Sequence, residues 1–171
     1  MSRTILETAR LRLRELTQGD VEFVARMLAH PDVMHFYPRP YSAADAVEWI
    51  ATQLRRYHDE GHGLWLALLK QTGEPVGQVG LHLQDVDGTN WPEIGYLLHR
   101  PYWGQGFATE AALAVRDHAF GPLDYARVIS LIQPDNILSQ AVARRLGMLL
   151  EGRTQHAGID HLVFGLRRST L

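Results

Sequence analysis

Trp103-Gly104-Gln105-Gly106-Phe107-Ala108-Thr109-Glu110 decides how this chain is read. The stretch follows a strand-like run, Glu93–Leu98, and opens a helix expected to reach about Phe120. The first turn of any helix leaves backbone N–H groups without internal partners, and the helix dipole adds partial positive charge there. Glycines at that entrance let an anion come close to the backbone, so strand, glycine turn and helix together predict a phosphate-binding site. A tight turn without a ligand is the plainer reading of the same residues. A nucleoside-triphosphate loop would end in Gly-Lys-Ser/Thr, and no such ending occurs. A dinucleotide fingerprint would need Gly or Ala where Thr109 stands. Asp124, 18 residues after Gly106, nevertheless keeps a nicotinamide-dinucleotide reading open on spacing.

Working outward, Leu64–Leu69, Val76–Leu83 and Glu93–Leu98 are three strand-like runs separated by Thr72-Gly73 and Asp87-Gly88, which predicts an antiparallel meander. Two helices precede it. Thr17 with Asp20, and Ser42 with Asp45, are spaced as capping boxes. His30-Pro31 ends the first helix, and Gly61 closes the second, whose apolar stripe is Val47, Ile50, Leu54 and Tyr57. Leucines alternate with arginines over Leu11–Leu16, which reads as a half-buried strand with Arg10, Arg12 and Arg14 on or beside its solvated face. Beyond the glycine turn, Arg127–Gln133 reads as a strand and Asn136–Leu146 as a helix capped by Gly147. Met148–Gly152 and Ile159–Arg167 read as strands. The order is β-α-α-β-β-β-α-β-α-β-β, a mixed α/β fold with a mostly antiparallel sheet and one strand–helix–strand crossover.

Composition narrows the function. The 171 residues fit one domain, taken as 1–171 with its core at about 9–168. There is no cysteine, which excludes a disulfide framework, thiolate zinc sites and a cysteine nucleophile. Seventeen Lys and Arg against nineteen Asp and Glu argue against a nucleic-acid partner. The charged stretch Met1–Arg14 lacks the apolar run of a signal peptide, and Leu64–Leu69 is far shorter than the ~20 residues of a membrane helix. A cytoplasmic protein without membrane association is the expectation. His58-Asp59-Glu60-Gly61-His62 superficially resembles a zinc hydrolase motif, but Asp59 stands where the glutamate belongs and Gly61 breaks the helix. No metal is expected. A serine-hydrolase elbow is also absent.

The residues Glu93-Ile-Gly-Tyr-Leu-Leu-His-Arg-Pro-Tyr-Trp-Gly-Gln-Gly-Phe-Ala-Thr-Glu-Ala-Ala112 resemble the acetyl-CoA motif of the GCN5-related N-acetyltransferase superfamily. The likeness is strongest to its ribosomal-protein N-terminal acetyltransferase branch. Pro134-Asp-Asn136-Ile-Leu-Ser139 through Leu146-Gly-Met148 is similar to that branch's Asn-x-x-Ser helix, and Glu7–Arg14 to its usual first strand. Trp103 departs from the superfamily's Gln/Arg in that place, which removes a side-chain donor and leaves the pyrophosphate to backbone N–H groups.

The resemblance implies acetyl-CoA as co-substrate and direct transfer to a primary amine, either a protein N-terminus or a small molecule. It implies a fold with about four helices in which the fourth strand by this count splays from the fifth. Pantetheine would lie between them, paired with the backbone of Tyr96 and Leu98. A free N–H near Leu97 or Leu98 would polarise the thioester. Gly104, Gly106, Ala108 and Thr109 would hold the pyrophosphate, with Trp103, Gln105 and Phe107 completing the loop. Glu93 is the first candidate base and has a plain reading as a salt-bridged carboxylate; His82 and Asp85 rank below it. Ser139 would protonate the leaving thiolate or bind pantetheine. Asn136 would bond the pantetheine amide, or equally be a helix N-cap. Phe36 and Tyr37, in the aromatic loop Met34–Tyr41, and Trp91 are candidate acceptor contacts. Branch members often form homodimers, but no stripe in this sequence marks an interface. A non-catalytic acyl-CoA-binding module remains an alternative.

Overall fold

The computed structural model describes residues 2–169. Met1, Thr170 and Leu171, which the expected domain includes, lie outside the described residues. The strands are β1 Thr4–Glu7, β2 Leu11–Arg14, β3 Leu64–Leu69, β4 Pro75–Val86, β5 Thr89–Leu98, β6 Arg127–Ile132, β7 Leu149–His156 and β8 Ile159–Arg167. The helices are α1 Val21–Leu28, α2 Ala43–Asp59, α3 Phe107–Phe120 and α4 Ile137–Arg145. One sheet runs in the order β1-β2-β3-β4-β5-β6-β8-β7. Every adjacent pair is antiparallel except β5–β6, which is parallel.

The mixed α/β fold is as expected, with one added strand. Thr4–Glu7 pairs with β2 at the sheet edge, so the splayed pair expected as strands four and five is β5 and β6. Four edge residues with no buried member carry no periodic signal. The β4–β5 hairpin is longer than its apolar run, reaching Val86 and Thr89 around Asp87-Gly88, because its tip is polar and exposed.

Both capping boxes form. Asp20 returns its carboxylate to the Thr17 N–H at 2.7 Å, and Asp45 does the same for Ser42 at 2.7 Å. Asp20 is also forked by Arg14 at 2.7 and 2.8 Å, so Arg14 is half-buried and paired rather than solvated. Leu11 and Leu13 are fully buried in a core shared by α3 and α4. A second core lies under α1 and α2, built on Phe23, Val24, Met27, Leu28, Ile50 and Leu66. Helices therefore cover both faces of the sheet, and the β5–β6 junction runs between the two cores.

The histidine pair at 58 and 62 is no metal site. His62 is buried, its Nδ1 is 2.8 Å from the Leu81 carbonyl and its Nε2 is 2.8 Å from the Tyr125 hydroxyl, while His58 is exposed beside Asp59. No grouping of potential metal ligands occurs among the described residues.

Candidate active site

At the C-terminal end of β5 the chain passes through the glycine turn into α3. Gly104 and Gly106 adopt φ of 74° and 79°, in the left-handed region, and Gly106 is the N-cap of α3. A side chain would strain either position. A Cβ at Gly104 would meet nothing within 4 Å, so the turn is open on that side. Phe107 is buried beneath the turn and Ala108 packs on the same core, which fixes the first helical turn while its leading N–H groups point outward. Trp103 has no role as an anion donor: its indole N–H donates to the Leu98 carbonyl at 2.8 Å and pins the strand end to the turn. The Gln105 side chain donates to the Pro101 carbonyl at 3.2 Å.

β5 and β6 pair in register only at Glu93 and Ile129. The Ser130 hydroxyl donates to the Ile94 carbonyl at 2.7 Å. Backbone orientation in an antiparallel ladder repeats every second residue. Tyr96 and Leu98 therefore turn their backbone groups to the side that Ile94 uses toward β6, whereas Leu97 faces β4 opposite Gln78. Past Ile94 the β5 edge has no strand partner. The Leu98 carbonyl is taken by Trp103, which leaves the Leu98 N–H as the free donor at this end. Across the gap, the Tyr96 hydroxyl donates to the Ser139 carbonyl at 2.7 Å, tying α4 to β5. Burial pushes the Tyr96 phenol up, and the nearby Glu93 charge adds to this. The Asn136 side chain accepts from the Ser139 N–H at 3.2 Å, so it is the N-cap of α4.

On the α1–α2 face lies a second group of polar side chains. Glu93 Oε2 is 3.1 Å from His82 Nε2, and Oε1 accepts the Leu131 N–H at 3.0 Å. His82 and Glu93 are cross-strand partners, which is why they meet. Burial alone would raise the Glu93 pKa, but the His82 hydrogen bond and charge together with the Leu131 N–H outweigh it and hold the carboxyl below its ordinary value. Tyr37 lies close enough to be affected: burial, then Tyr41 and the Glu93 charge, push its phenol up to about 12. Tyr37, Tyr41 and Trp49 pack edge to face with centroids 6.0–6.3 Å apart. The Phe36 carbonyl accepts from Gln133 Nε2 at 2.7 Å, which bridges the aromatic loop to the end of β6.

Other sequence candidates lie along the hairpin and beyond α3. Asp85 is exposed at the hairpin tip, where its carboxylate accepts the Gly88 N–H at 3.3 Å. The Trp91 ring lies under the Arg127 guanidinium at 4.2 Å, on the hairpin side of the β5–β6 contact. Asp124 lies beyond the far end of α3 in an ion pair with Arg168, and the glycine turn follows the last strand of an antiparallel meander, so the dinucleotide arrangement is not formed. Not foreseen in the sequence are Gln133, Trp49 and Gln78, whose side chains lock the loop and α2 to the sheet, Arg10, which reaches the glycine turn, and Thr8, which reaches Glu110 in the first turn of α3. Gln133, Trp49 and Gln78 lie in no local motif, and the Glu7–Arg14 stretch that holds Thr8 and Arg10 carries no sign of their partners; each contact spans from 29 to about 100 residues.

A splayed β5–β6 pair followed by an open left-handed glycine turn at a helix start is the arrangement of an acetyltransferase of the GNAT class. Residues 10–149 match the acetyltransferase (GNAT) domain family, and the chain belongs to it. It is 36% identical over 148 residues to the protein YkkB of Bacillus subtilis, covering 86% of each chain. A crystal structure of an acetyltransferase from Agrobacterium tumefaciens superposes with a TM-score of 0.84 at 32% identity, covering 98% of this chain and 96% of that one. A ribosomal L7/L12 α-N-protein acetyltransferase, RimL, shares the fold, with a TM-score of 0.80 over 98% of this chain and 96% of that one at 20% identity. The protein is thus an N-acetyltransferase that uses acetyl-CoA. The residues present fit that co-substrate: two exposed left-handed glycines, an unfilled space at Gly104 and unpartnered helix-start N–H groups suit a pyrophosphate.

Proposed function

We propose that the chain acts as one N-acetyltransferase domain in the cytoplasm, passing an acetyl group directly to an α-amine, that of a protein N-terminus or of a small molecule. The observation that carries this reading is the Glu93 carboxylate, 12% exposed, at the root of the β5–β6 gap, between the co-substrate side of the sheet and the aromatic loop. Acetyl-CoA supplies the activated thioester. The helix-start N–H groups from Gly106 to Thr109 hold its pyrophosphate, and the β5 edge at Tyr96 and Leu98 aligns pantetheine. The Leu98 N–H donates to the carbonyl oxygen as negative charge builds there, an interaction worth a few kcal/mol in enzymes. Glu93 takes the amine proton, directly or through a water, as the amine nitrogen bonds the carbonyl carbon. The carbon–sulfur bond then breaks, and the Ser139 hydroxyl gives or relays a proton to the departing sulfur.

Acceptor choice follows from proton affinity. At pH 7 a lysine-type amine (pKa ~10.4) costs about 4–5 kcal/mol to deprotonate, an α-amine (~7.7–8.0) about 1 kcal/mol. A carboxylate held below its usual pKa is a weak base, so it suits the α-amine. Motifs shared with the ribosomal-protein branch support the same choice. Phe36 and Tyr37 border the acceptor cleft in this reading. Thiol release from acetyl-CoA, measured with a panel of peptides and small amines, tests it. Turnover is expected with α-amines and slower with ε-amines. Tight CoA binding without turnover on any amine would instead indicate a non-catalytic acyl-CoA-binding module.

A further inference from the structure

Arg10 lies just before β2 in a leucine–arginine alternation, and its side chain is 47% exposed, yet it is not a bystander on a solvated face. Its backbone N–H and Nε donate to the two oxygens of Glu110, at 2.8 and 2.6 Å. Thr8 Oγ1 donates to the same carboxylate at 2.6 Å. Arg10 Nη1 donates to the Gln105 carbonyl at 3.0 Å, and its guanidinium carbon lies 4.3 Å from the centre of the Phe107 ring. Nη2 is 3.4 Å from where a Cβ of Gly106 would sit. One cation thus touches three consecutive residues of the turn and is braced by a fourth residue one helical turn later.

The peptide it grips joins Gln105 to Gly106, and glycines stand on either side of Gln105. Such a peptide plane flips at little steric cost. Flipped, it would present a carbonyl oxygen instead of an N–H to the space above the helix start, and a carbonyl there would repel a phosphate. We propose that Arg10 is a positioning residue for the donor: braced by Glu110 and Thr8, it holds the Gln105 carbonyl turned away so that the turn's N–H groups stay aimed at the pyrophosphate. This rests on the reading that the glycine turn binds the pyrophosphate. It also explains how the turn works with Trp103 in the motif's first place: the side-chain cation comes from the start of β2, distant in sequence. Lysine does not replace it, because an ammonium cannot span Glu110 and Gln105 in one plane.

The test compares acetyl-CoA with S-acetylpantetheine, a donor that lacks the pyrophosphate, in the full chain carrying Arg10→Ala or Arg10→Lys. For Arg10→Ala the KM for acetyl-CoA and the Kd of CoA should rise ~10-fold or more, the scale of a lost charge-assisted contact, with kcat at saturation within about twofold. Arg10→Lys, which keeps the charge and guards against a variant that fails to fold, should show a smaller loss of the same kind. Rates with S-acetylpantetheine should not change. Wild-type CoA affinity in a folded Arg10 variant would overturn the proposal, as would equal losses with both donors. Gly106→Val separates the two layers: if it too keeps wild-type CoA affinity, the pyrophosphate is not at this turn and the underlying reading fails.

Discussion

The two halves of the site are built from different materials. The co-substrate half uses backbone: left-handed Gly104 and Gly106, the outward N–H groups of α3 and the unpaired edge of β5. The proposed acceptor half would use side chains drawn from four separate segments, with Glu93 and His82 on adjacent strands, Tyr37 on a loop and Trp49 on a helix. A backbone site tolerates many sequences provided that glycines fall at the right places. A side-chain site exists only once the fold has gathered its parts. The first can hold one donor across a family while the second changes acceptor.

The contrast makes Glu93→Gln the most damaging single change for chemistry but a silent one for donor binding. We expect kcat/KM to fall by ~10²–10³, within the range of general-base contributions, while the Kd of CoA stays unchanged. Paired rate and calorimetric measurements check this, and a parallel loss of CoA affinity would break the division. Next in size, Gly106→Val should weaken CoA binding on the order of 100-fold, the scale of one or two lost charge-assisted hydrogen bonds, and leave the chain folded. Melting and CoA titration together read it out.

How far the sequence speaks follows the same division. The glycine spacing, both capping boxes and the succession of elements from β2 onward were legible because each is a local pattern. The edge strand Thr4–Glu7 was not, since four residues without a buried face have no periodicity to detect. Asn136 caps α4 through its side-chain oxygen, which accepts the Ser139 N–H and leaves its amide nitrogen for the proposed contact with pantetheine. Arg10 looked like solvent-facing charge because its partners are 95 and 100 residues away. The pairing of His82 with Glu93 became visible only through the register of β4 on β5.

Smaller effects test the scaffold between the halves. Burial, the foremost cause, lowers the pKa of His62, outweighing its contact with the Leu81 carbonyl, and it also lowers His99 and His118. A histidine depressed in the folded state stabilises above its unfolded pKa and loses that stability as pH falls. The melting temperature should therefore drop as pH is lowered from about 6.5. His62→Phe should reduce that slope and cost about 1–3 kcal/mol by stranding the Leu81 carbonyl and the Tyr125 hydroxyl, with CoA affinity unchanged. Denaturant titrations at two pH values measure both. Ser139→Ala should have the least effect, a loss in kcat of about tenfold or less, since its backbone contacts with Asn136 and Tyr96 remain.

Direct transfer across the boundary between the two halves leaves no acetyl group on the enzyme, and a single-turnover experiment reads this out. Enzyme in excess over acetyl-CoA is mixed with a peptide bearing a free α-amine, quenched over time and weighed intact alongside the peptide. One thiol should be released per acetylated peptide, with the enzyme mass unchanged at every time point. An enzyme heavier by one acetyl group, formed before the peptide is modified, would contradict it.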